Sequence, residues 1–249
     1  MFSFSLRFYI RIILNKLQII CSTNFKNFFR IIRYGHFFIF FLGASLASFI
    51  GLVVDRFLEE SILFPASHCN TCGKQLRPLD MIPVLSQIFN HSRCHFCKSK
   101  IPLWYGIFEF VCGLATALYY HDIIAPSSLF IFFFSMTLSL YDLKNQSFPL
   151  LIWLLPSASL LLFLPLNTVS IILLLLGIIA ELFDIKIGSG DFFYLASLSL
   201  FLDLESILWI VELGSLVGIL YCLFDKNKRI PFIPFLFLGY LLVIIFKCD

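Results

Sequence analysis

Four cysteines in two closely spaced pairs are the residues of this chain whose types and spacing most directly indicate chemistry. Cys69 and Cys72 form the first pair, and Cys94 and Cys97 form the second. Each Cys-x-x-Cys pair lets two thiolates converge from one tight turn, and Gly73 suits such a turn. Two pairs complete a tetrahedral set of four sulfur ligands for zinc, which leaves no open position for catalysis. The spacing therefore predicts a structural zinc site.

The neighbours of the cysteines bear on this prediction. Several cations would offset the double negative charge of zinc with four thiolates: Lys74, Arg93, Lys98 and Lys100. A redox pair or an exported disulfide pair is the alternative, and a cytoplasmic location disfavours it. Three nearby imidazoles are alternative ligands, although a histidine beside a complete set of four cysteines is more often a bystander: His68, His91 and His95.

Two aspartates are the candidate catalytic groups. Asp142 ends one apolar run, and Asp191 begins another directly after Gly188 and Gly190. A single aspartate at a helix end more often acts as a cap or marks the water boundary. The glycines favour a further role for Asp191, because they leave space for an extended peptide. If the fold brings the aspartates together, they would share one proton and act as general base and general acid in peptide hydrolysis.

Other acidic residues carry less weight. Asp184 is a third catalytic candidate, seven residues before Asp191. Glu109 and Glu212 lie inside apolar runs, where an acid is a functional suspect by default. Glu181 is expected to mark the end of its helix.

The composition places these residues in a membrane protein. The 249 residues are 60% hydrophobic and 13% charged, against about 45–50% apolar and about 25% charged in an ordinary soluble chain. A soluble domain of this size cannot bury so much apolar surface. The net charge of +3 gives no argument for a nucleic-acid partner, so we expect membrane lipid and no nucleic acid.

Apolar runs near the length of a membrane span predict an all-α polytopic membrane protein with about eight transmembrane helices. The runs are 37–54, 103–120, 123–141, 148–164, 168–183, 191–203, 206–224 and 231–246. We expect a first transmembrane helix over 37–54, a small zinc-binding loop domain over 55–102 and a transmembrane peptidase domain over 103–249. A polar segment as short as 55–102 needs a metal or a disulfide to hold it together.

Lysine and arginine predict the orientation, because they collect on the cytoplasmic side of bacterial membrane proteins. With the 55–102 segment inside, eleven cations lie inside: Arg56, Lys74, Arg77, Arg93, Lys98, Lys100, Lys144, Lys186, Lys226, Lys228 and Arg229. The outward connections carry none, and the C-terminal tail carries Lys247. This topology places Asp142 and Asp191 at the cytoplasmic face.

The basic N-terminal extension, residues 1–36, does not fit this orientation. It carries six cations and no acid, yet eight helices would put it outside. Three interpretations stay open. It is a basic interfacial helix, an additional re-entrant or spanning segment, or a stretch absent from the native product.

Five ordered motifs resemble the type IV prepilin peptidases, which are membrane aspartyl proteases of the GxGD type. The motifs are GASLASFIGLVVDRF with Gly43, Ser48 and Arg56, the cysteine pairs with DMIPVLSQ and KIPLWYGIFEF, Asp142 with Pro149, GSGD, and RIPFIPFLFLGY. They extend from about Gly43 to Tyr240. The compact form resembles the competence-pseudopilin peptidases of low-GC Gram-positive bacteria.

The resemblance implies an eight-helix enzyme of the cell membrane. Such an enzyme cleaves the leader of prepilin or pseudopilin precursors after a glycine, at the cytoplasmic face, and many relatives also methylate the new N-terminus with S-adenosylmethionine. Three positions depart from the usual pattern: Gly51, Asn70 and the pair Phe192-Phe193, where lysine-leucine is usual. None touches the aspartates or the cysteines, so the resemblance supports proteolysis and leaves methylation open.

Two other functions compete with this one. A non-enzymatic membrane scaffold or transporter with a zinc-stapled docking loop explains the cysteines but gives no reason for GSGD at a helix entrance. A protease that cleaves ordinary transmembrane helices, as presenilin-like enzymes do, uses the same motif. A cleavage assay that offers both substrate types separates these hypotheses.

Overall fold

The structure is a computed structural model that describes residues 36–57, 61, 64, 66–183, 188–224 and 230–247, and these residues form helices and loops without a β-strand. The long helices are α1 (His36–Arg56), α3 (Trp104–Tyr120), α4 (Pro126–Asn145), α5 (Leu150–Leu161), α6 (Thr168–Leu182), α7 (Ser189–Leu198), α8 (Leu204–Phe224) and α9 (Ile233–Lys247). Between α1 and α3 lie a short 3-10 helix, Pro78–Met81, and α2 (Leu85–Phe89). Each predicted apolar run contains one long helix. Some predictions concern residues outside the described ranges, namely residues 1–35, Asp184, Lys186, Lys226, Lys228 and Arg229.

Within the described part of the chain, three helices are long and apolar enough to cross a membrane, namely α1, α4 and α8. Among the shorter helices, α5, α6 and residues 233–246 of α9 are also apolar. The predicted all-α membrane protein is therefore confirmed, whereas the prediction of about eight spans is confirmed only to the extent of these three. The other helices are too short to count as spans by length. Helix α7, for example, has only 10 residues, and a membrane span needs about 20.

The chain divides into two compact units, one up to Ala125 and one from Pro126 onward. In the first unit, α1 and α3 pack closely because small residues face each other. A Cβ at Gly43 would lie 2.1 Å from the Thr116 Oγ1, and one at Gly113 would lie 2.7 Å from the Phe40 ring. At the other end of the pair, the Tyr105 hydroxyl donates a hydrogen bond to the Asp55 carboxylate. The structure thus groups α3 with α1.

The second unit has a core of large apolar side chains from α4, α7, α8 and α9. Leu138, Leu198, Ile210 and Leu236 are fully buried there. Helices α8 and α9 approach closely, since a Cβ at Gly239 would lie 2.6 Å from the Ile210 carbonyl oxygen. This core fixes the ends of α4, α7 and α9, and those ends carry the acidic residues described below.

Candidate metal centre and carboxylate pair

The four cysteines of the two pairs come together in the loop between α1 and α3. The sulfur atoms of Cys69, Cys72, Cys94 and Cys97 all lie within 4.8 Å of one another. The sulfurs of Cys69 and Cys97 are 3.7 Å apart, and tetrahedral zinc with bonds of about 2.3 Å requires a separation of about 3.8 Å. This group fits a metal ion held by four thiolates. It is the one such group among the described residues.

Both cysteine pairs use the same backbone turn. The Cys69 amide donates to the Lys74 carbonyl at 3.0 Å and the Gly73 amide donates to the Cys69 carbonyl at 2.8 Å. The second pair repeats these bonds, from Cys94 to Ser99 at 2.8 Å and from Lys98 to Cys94 at 3.0 Å. Gly73 and Lys98 occupy equivalent positions with φ of 66° and 58°. The expected role of Gly73 is therefore confirmed, and Lys98 adopts the same left-handed conformation.

Ser99 is a participant in the cysteine group that the sequence analysis missed. Its hydroxyl lies 3.1 Å from the Cys97 sulfur and 3.6 Å from the Cys69 sulfur. Hydrogen bonding from Ser99, followed by backbone amides, lowers the pKa of the Cys69 thiol to about 5. The same serine lowers the pKa of Cys97. A low thiol pKa favours the thiolate, which is the form that binds metal.

The histidines near the cysteines are not part of the four-sulfur group. The His68 Nδ1 atom lies 3.3 Å from the Arg56 guanidinium and 3.1 Å from the Ala66 carbonyl. The His95 ring instead packs edge-on against Phe96. Lys74 lies over the Phe96 ring at 5.1 Å, which brings one predicted cation close to the second cysteine pair.

Asp142 is buried near the C-terminal end of α4, with 7% of its surface exposed. Its Oδ2 atom accepts a hydrogen bond of 3.0 Å from the amide of Ile233, the first residue of α9. The amide of Phe232 also bonds this carboxylate. The first amides of a helix lack partners within the helix and carry partial positive charge, so the start of α9 stabilises a carboxylate here.

Asp191 lies in the first turn of α7, where the sequence predicted it. Its amide donates to the Gly188 carbonyl at 3.2 Å, and a Cβ on Gly188 would lie 3.0 Å from the Asp191 Oδ2 atom. Gly188 has an ordinary φ of −61°, so the glycine provides space for the carboxylate and not an unusual backbone conformation. The charges of Asp142 and Asp191 are close enough to interact.

The segment after Asp142 packs directly on the GSGD loop. A Cβ on Gly190 would lie 2.6 Å from the Phe148 Cε1 atom. The glycine thus lets the Phe148 ring lie against the start of α7, six residues after Asp142 in the chain. Both predicted loop glycines are positions where another group approaches closely. Pro149, the next residue, is the N-cap of α5.

Helix α7 is held by polar contacts that the sequence analysis did not foresee. The Trp153 Nε1 atom donates to the Phe193 carbonyl and to the Ser197 hydroxyl, both at 2.9 Å. The Ser197 hydroxyl also pairs with Ser157 at 2.9 Å. On α4, Ser135 accepts a bond of 2.8 Å from the buried Tyr194 hydroxyl. These bonds fix the position of Asp191 relative to α4 and α5.

Two of the remaining acids, Glu181 and Glu109, have structural partners. Glu181 lies at the end of α6, as expected, and accepts a hydrogen bond from the Ser189 hydroxyl at 2.5 Å. Glu109 is buried in α3 and accepts a bond from the Val84 amide at 2.7 Å. Glu212 lies within α8.

The fold and these sites define an α-helical membrane protein with a group of four cysteines that fits a metal ion in one unit and a pair of interacting aspartates in the other. Comparison with known proteins agrees with this class. Residues 41–123 match the family described as Bacterial Peptidase A24 N-terminal domain. This match supports the type IV prepilin peptidase family, which the motifs indicated, as the family that the chain resembles.

Curated relatives are similar over parts of the chain. A prepilin leader peptidase/N-methyltransferase of Myxococcus xanthus is 37% identical over 78 residues, which are 31% of this chain and 23% of the relative. One of Dichelobacter nodosus is 27% identical over 157 residues, 61% of this chain and 49% of the relative. One of Bacillus subtilis is 35% identical over 82 residues, 32% of this chain and 33% of the relative. The matched regions thus span less than half of each relative. No solved structure matches the chain significantly.

Proposed function

We propose that this chain is a membrane aspartyl endopeptidase that removes the leader of prepilin-like or pseudopilin precursors at the cytoplasmic membrane face, after a glycine. The observation that carries the proposal is the interacting pair of carboxylates, Asp142 and Asp191, at neighbouring helix ends. The printed names of the relatives, all of which process prepilin-like precursors, supply the substrate class. A pseudopilin of competence is one proposed substrate, because the compact sequence resembles the competence-pseudopilin peptidases.

The chemistry follows from two neighbouring carboxylates that share a proton. The ionised carboxylate takes a proton from water as the water attacks the peptide carbonyl, and the protonated carboxyl gives its proton to the departing amine. We assign the base and acid roles to the pair together. The amides at the start of α9 would hold Asp142 in place throughout, since they bond its Oδ2 atom.

Access for an extended substrate is part of the proposal. Gly188 and Gly190 leave the entrance to α7 without side chains, so a peptide backbone can approach Asp191 closely. A leader that meets the membrane at its cytoplasmic face would reach this loop without unfolding a transmembrane helix. The cation distribution favours that face, as described for the sequence.

A structural zinc ion is the proposed ligand of the four cysteines. Their mutual distances fit tetrahedral coordination by four thiolates, and Cys69, Cys72, Cys94 and Cys97 would hold the ion without an open position. Zinc would stabilise the loop between α1 and α3, which has few large buried side chains of its own. No step of the peptide hydrolysis uses this site.

N-methylation of the new terminus is a second candidate activity. The reason to consider it is that several relatives are named prepilin leader peptidase/N-methyltransferase. Such an activity would require S-adenosylmethionine as methyl donor. The mass of the processed product, with and without S-adenosylmethionine, tests this candidate separately from cleavage.

The peptidase proposal is tested by co-expression with a prepilin-like precursor that carries a glycine at the cleavage point. We expect Asp142→Asn and Asp191→Asn each to abolish leader removal at unchanged enzyme abundance. Asp203→Asn is the matched control, because Asp203 accepts a hydrogen bond from Ser206 at the start of α8 and has no proposed role in catalysis. Full processing by either dyad variant would refute the catalytic assignment, whereas loss of processing in the control would point to instability.

A further inference from the structure

The loop between α1 and α3 carries large apolar side chains that the other described residues leave largely exposed. Leu79 is 70% exposed, Met81 45%, Ile88 60% and Phe89 75%. They lie on the 3-10 helix and on α2, which pack together, and the Asn90 side chain links the two by donating to Asp80 at 2.9 Å. We call these four residues the interfacial face. Apolar side chains exposed together in this way mark an interaction surface.

The interfacial face is anchored at the depth of the membrane helices by Glu109. This carboxylate, on the second turn of α3, accepts a hydrogen bond of 2.7 Å from the Val84 amide directly before α2. It also bonds the Ser48 hydroxyl of α1. Ser48 lies about 12 Å along the helix axis from the end of α1 at Arg56. The start of α2 therefore reaches alongside the spanning helix and does not stand above the membrane in water.

The backbone at this anchor is strained. Val84 has a φ of 62° and a ψ of −52°, and the Leu85 amide donates to the Pro83 carbonyl at 2.6 Å. This is the γ-turn of positive φ, the rare and strained form, and a positive φ is a genuine outlier for a β-branched residue. Such a conformation persists only where its surroundings hold it, and the Glu109 carboxylate is the group that binds its amide. The strain indicates that the position of α2 against α3 is fixed by specific contacts.

A second contact and a pair of aromatic residues support the same depth. A Cβ on Gly106 would lie 2.7 Å from the Gln87 side-chain oxygen, so α2 runs along the first turns of α3. Those turns begin with the stacked rings of Trp104 and Tyr105, whose centroids are 3.7 Å apart. Aromatic residues of this kind are enriched at the boundary between lipid and water. Ile88 and Phe89 thus project from a helix that lies in this boundary layer.

The charge of the loop indicates which lipid it meets. Residues 66–102 contain one acid, Asp80, which binds Arg77 at 3.0 Å. The other cations of this segment are Lys74, Arg93, Lys98 and Lys100. Cations close to an anionic leaflet are attracted to its headgroups. The five cations of this segment outnumber the combined negative charge of Asp80 and a zinc ion with four thiolates, so the loop stays positively charged. Apolar side chains beside such a positive charge are the features of an amphipathic surface that lies on anionic lipid.

We propose that the interfacial face is a binding surface for the lipid of the cytoplasmic leaflet, with Leu79, Met81, Ile88 and Phe89 inserted at the headgroup level. The surrounding cations contact anionic headgroups. The loop is then held to the membrane from both sides, through Glu109 to the helices and through the interfacial face to the lipid. This inference rests on the first unit alone and does not depend on the proposed peptidase activity.

The test uses the full chain in vesicles of phosphatidylcholine, with and without phosphatidylglycerol, and lipids brominated near the headgroup. The parent chain already contains three tryptophans. The fluorescence of the Phe89→Trp variant minus that of the parent chain therefore reports the indole at position 89. We expect brominated lipid to quench this difference about twofold more strongly than aqueous iodide does, since interfacial side chains lie about 5–10 Å into the boundary. Anionic lipid should increase the effect.

Phe96→Trp is the matched control, because Phe96 is an exposed aromatic residue of the same loop whose ring lies under the Lys74 ammonium. We expect iodide to quench this variant and brominated lipid to leave it unchanged. Metal content equal to that of the parent chain shows that both variants keep the folded loop.

Two outcomes would overturn the proposal. In the first, iodide quenches Phe89→Trp as strongly as it quenches the control, which means that the face lies in water. In the second, neither quencher reaches it, which means that protein covers it. A Glu109→Gln variant in the Phe89→Trp background adds an independent test, since loss of the anchor should reduce quenching by lipid at unchanged metal content. Unaltered quenching in that variant would contradict the role of Glu109.

Discussion

The two aspartates have different surroundings, although they carry the same group. The Asp142 carboxylate accepts hydrogen bonds from the amides at the start of α9. Asp191 instead lies in the first turn of α7, beside Gly188 and Gly190. Two acids with different hydrogen-bonding partners differ in their affinity for a proton. The geometry at Asp191 depends on the space that the glycines leave, and this dependence can be tested.

Gly190→Ala is expected to lower cleavage at unchanged abundance. The added methyl group would lie 2.6 Å from the Phe148 ring. Such overpacking costs about 1–3 kcal/mol of stability, and its relief would displace the start of α7. The measurement is the initial rate of leader removal. Because the clash is with a ring edge, the double variant Gly190→Ala with Phe148→Leu should recover activity. A double variant no better than the single one would contradict this packing explanation.

The phenylalanine pair after Asp191 departs from the family pattern, and the structure gives one of its members a packing role. The Phe193 ring lies 4.9 Å from the Trp153 ring, and a Cβ on Gly177 would lie 2.8 Å from it. Phe193→Leu should therefore lower the free energy of unfolding by about 1–3 kcal/mol through lost packing. Thermal unfolding in detergent measures this, and an unchanged midpoint would show that the ring contributes no packing energy.

At the residue scale, the sequence predicted what is local and missed what is distant. The cysteine pairs and the GSGD loop are recognisable because their groups are neighbours in the chain. The Ile233 amide that binds Asp142 lies 91 residues away, and Ser99 is an ordinary serine until the loop folds. A signal for Ile233 existed in the Pro-Phe motif at the start of α9, because a helix start carries amides without partners in the helix.

The helices of the first unit depend on small residues at their contact. Apolar periodicity identifies a helix, but it does not select which face of α1 meets α3. The face of α1 that meets α3 is the one where the α1 backbone comes closest to side chains and backbone of α3. Gly43 lies at such a close approach.

Gly43→Ala should destabilise the α1–α3 pair, because the new Cβ would lie 2.1 Å from the Thr116 hydroxyl oxygen and 2.9 Å from the Cys112 carbonyl oxygen. We expect a loss of about 1–3 kcal/mol, measured as a lower midpoint of thermal unfolding. Gly51→Ala is the control on the same helix, since its Cβ would make an ordinary contact of 3.6 Å with Tyr105. If the two variants unfold alike, close approach does not set this helix contact.

At the element scale, the positions of the helices were predictable and their lengths were not. Each apolar run contains a helix, since apolar composition in a bilayer requires one. The run that begins at Asp191 gives only a 10-residue helix, because the chain turns after Leu198, and the number of spans does not follow from counting runs. The small helices of the loop escaped prediction because they are held by Glu109 and Asn90 and not by periodicity.

In the whole molecule, the four cysteines and the two candidate catalytic carboxylates belong to different compact units. The four cysteines lie in the first unit and the aspartates in the second. We therefore expect substitution of a cysteine to change the metal content, and substitution of either aspartate to change cleavage at unchanged metal content.

We expect about one zinc ion per purified chain, and Cys72→Ser should lower that content because it removes one of four thiolates. Cys222→Ser is the control, since Cys222 is an exposed cysteine of α8 outside the group. Elemental analysis of protein purified without chelators makes the measurement. A chain with intact thiols and no bound metal would refute the zinc assignment.

The proposal that Asp142 and Asp191 together cleave a leader peptide is tested most directly by the mass of a purified prepilin-like precursor after incubation with the purified enzyme in lipid. With the parent chain we expect one new N-terminus directly after the leader glycine. With Asp142→Asn or Asp191→Asn we expect only intact precursor at equal metal content. The same new N-terminus in either variant would contradict the claim.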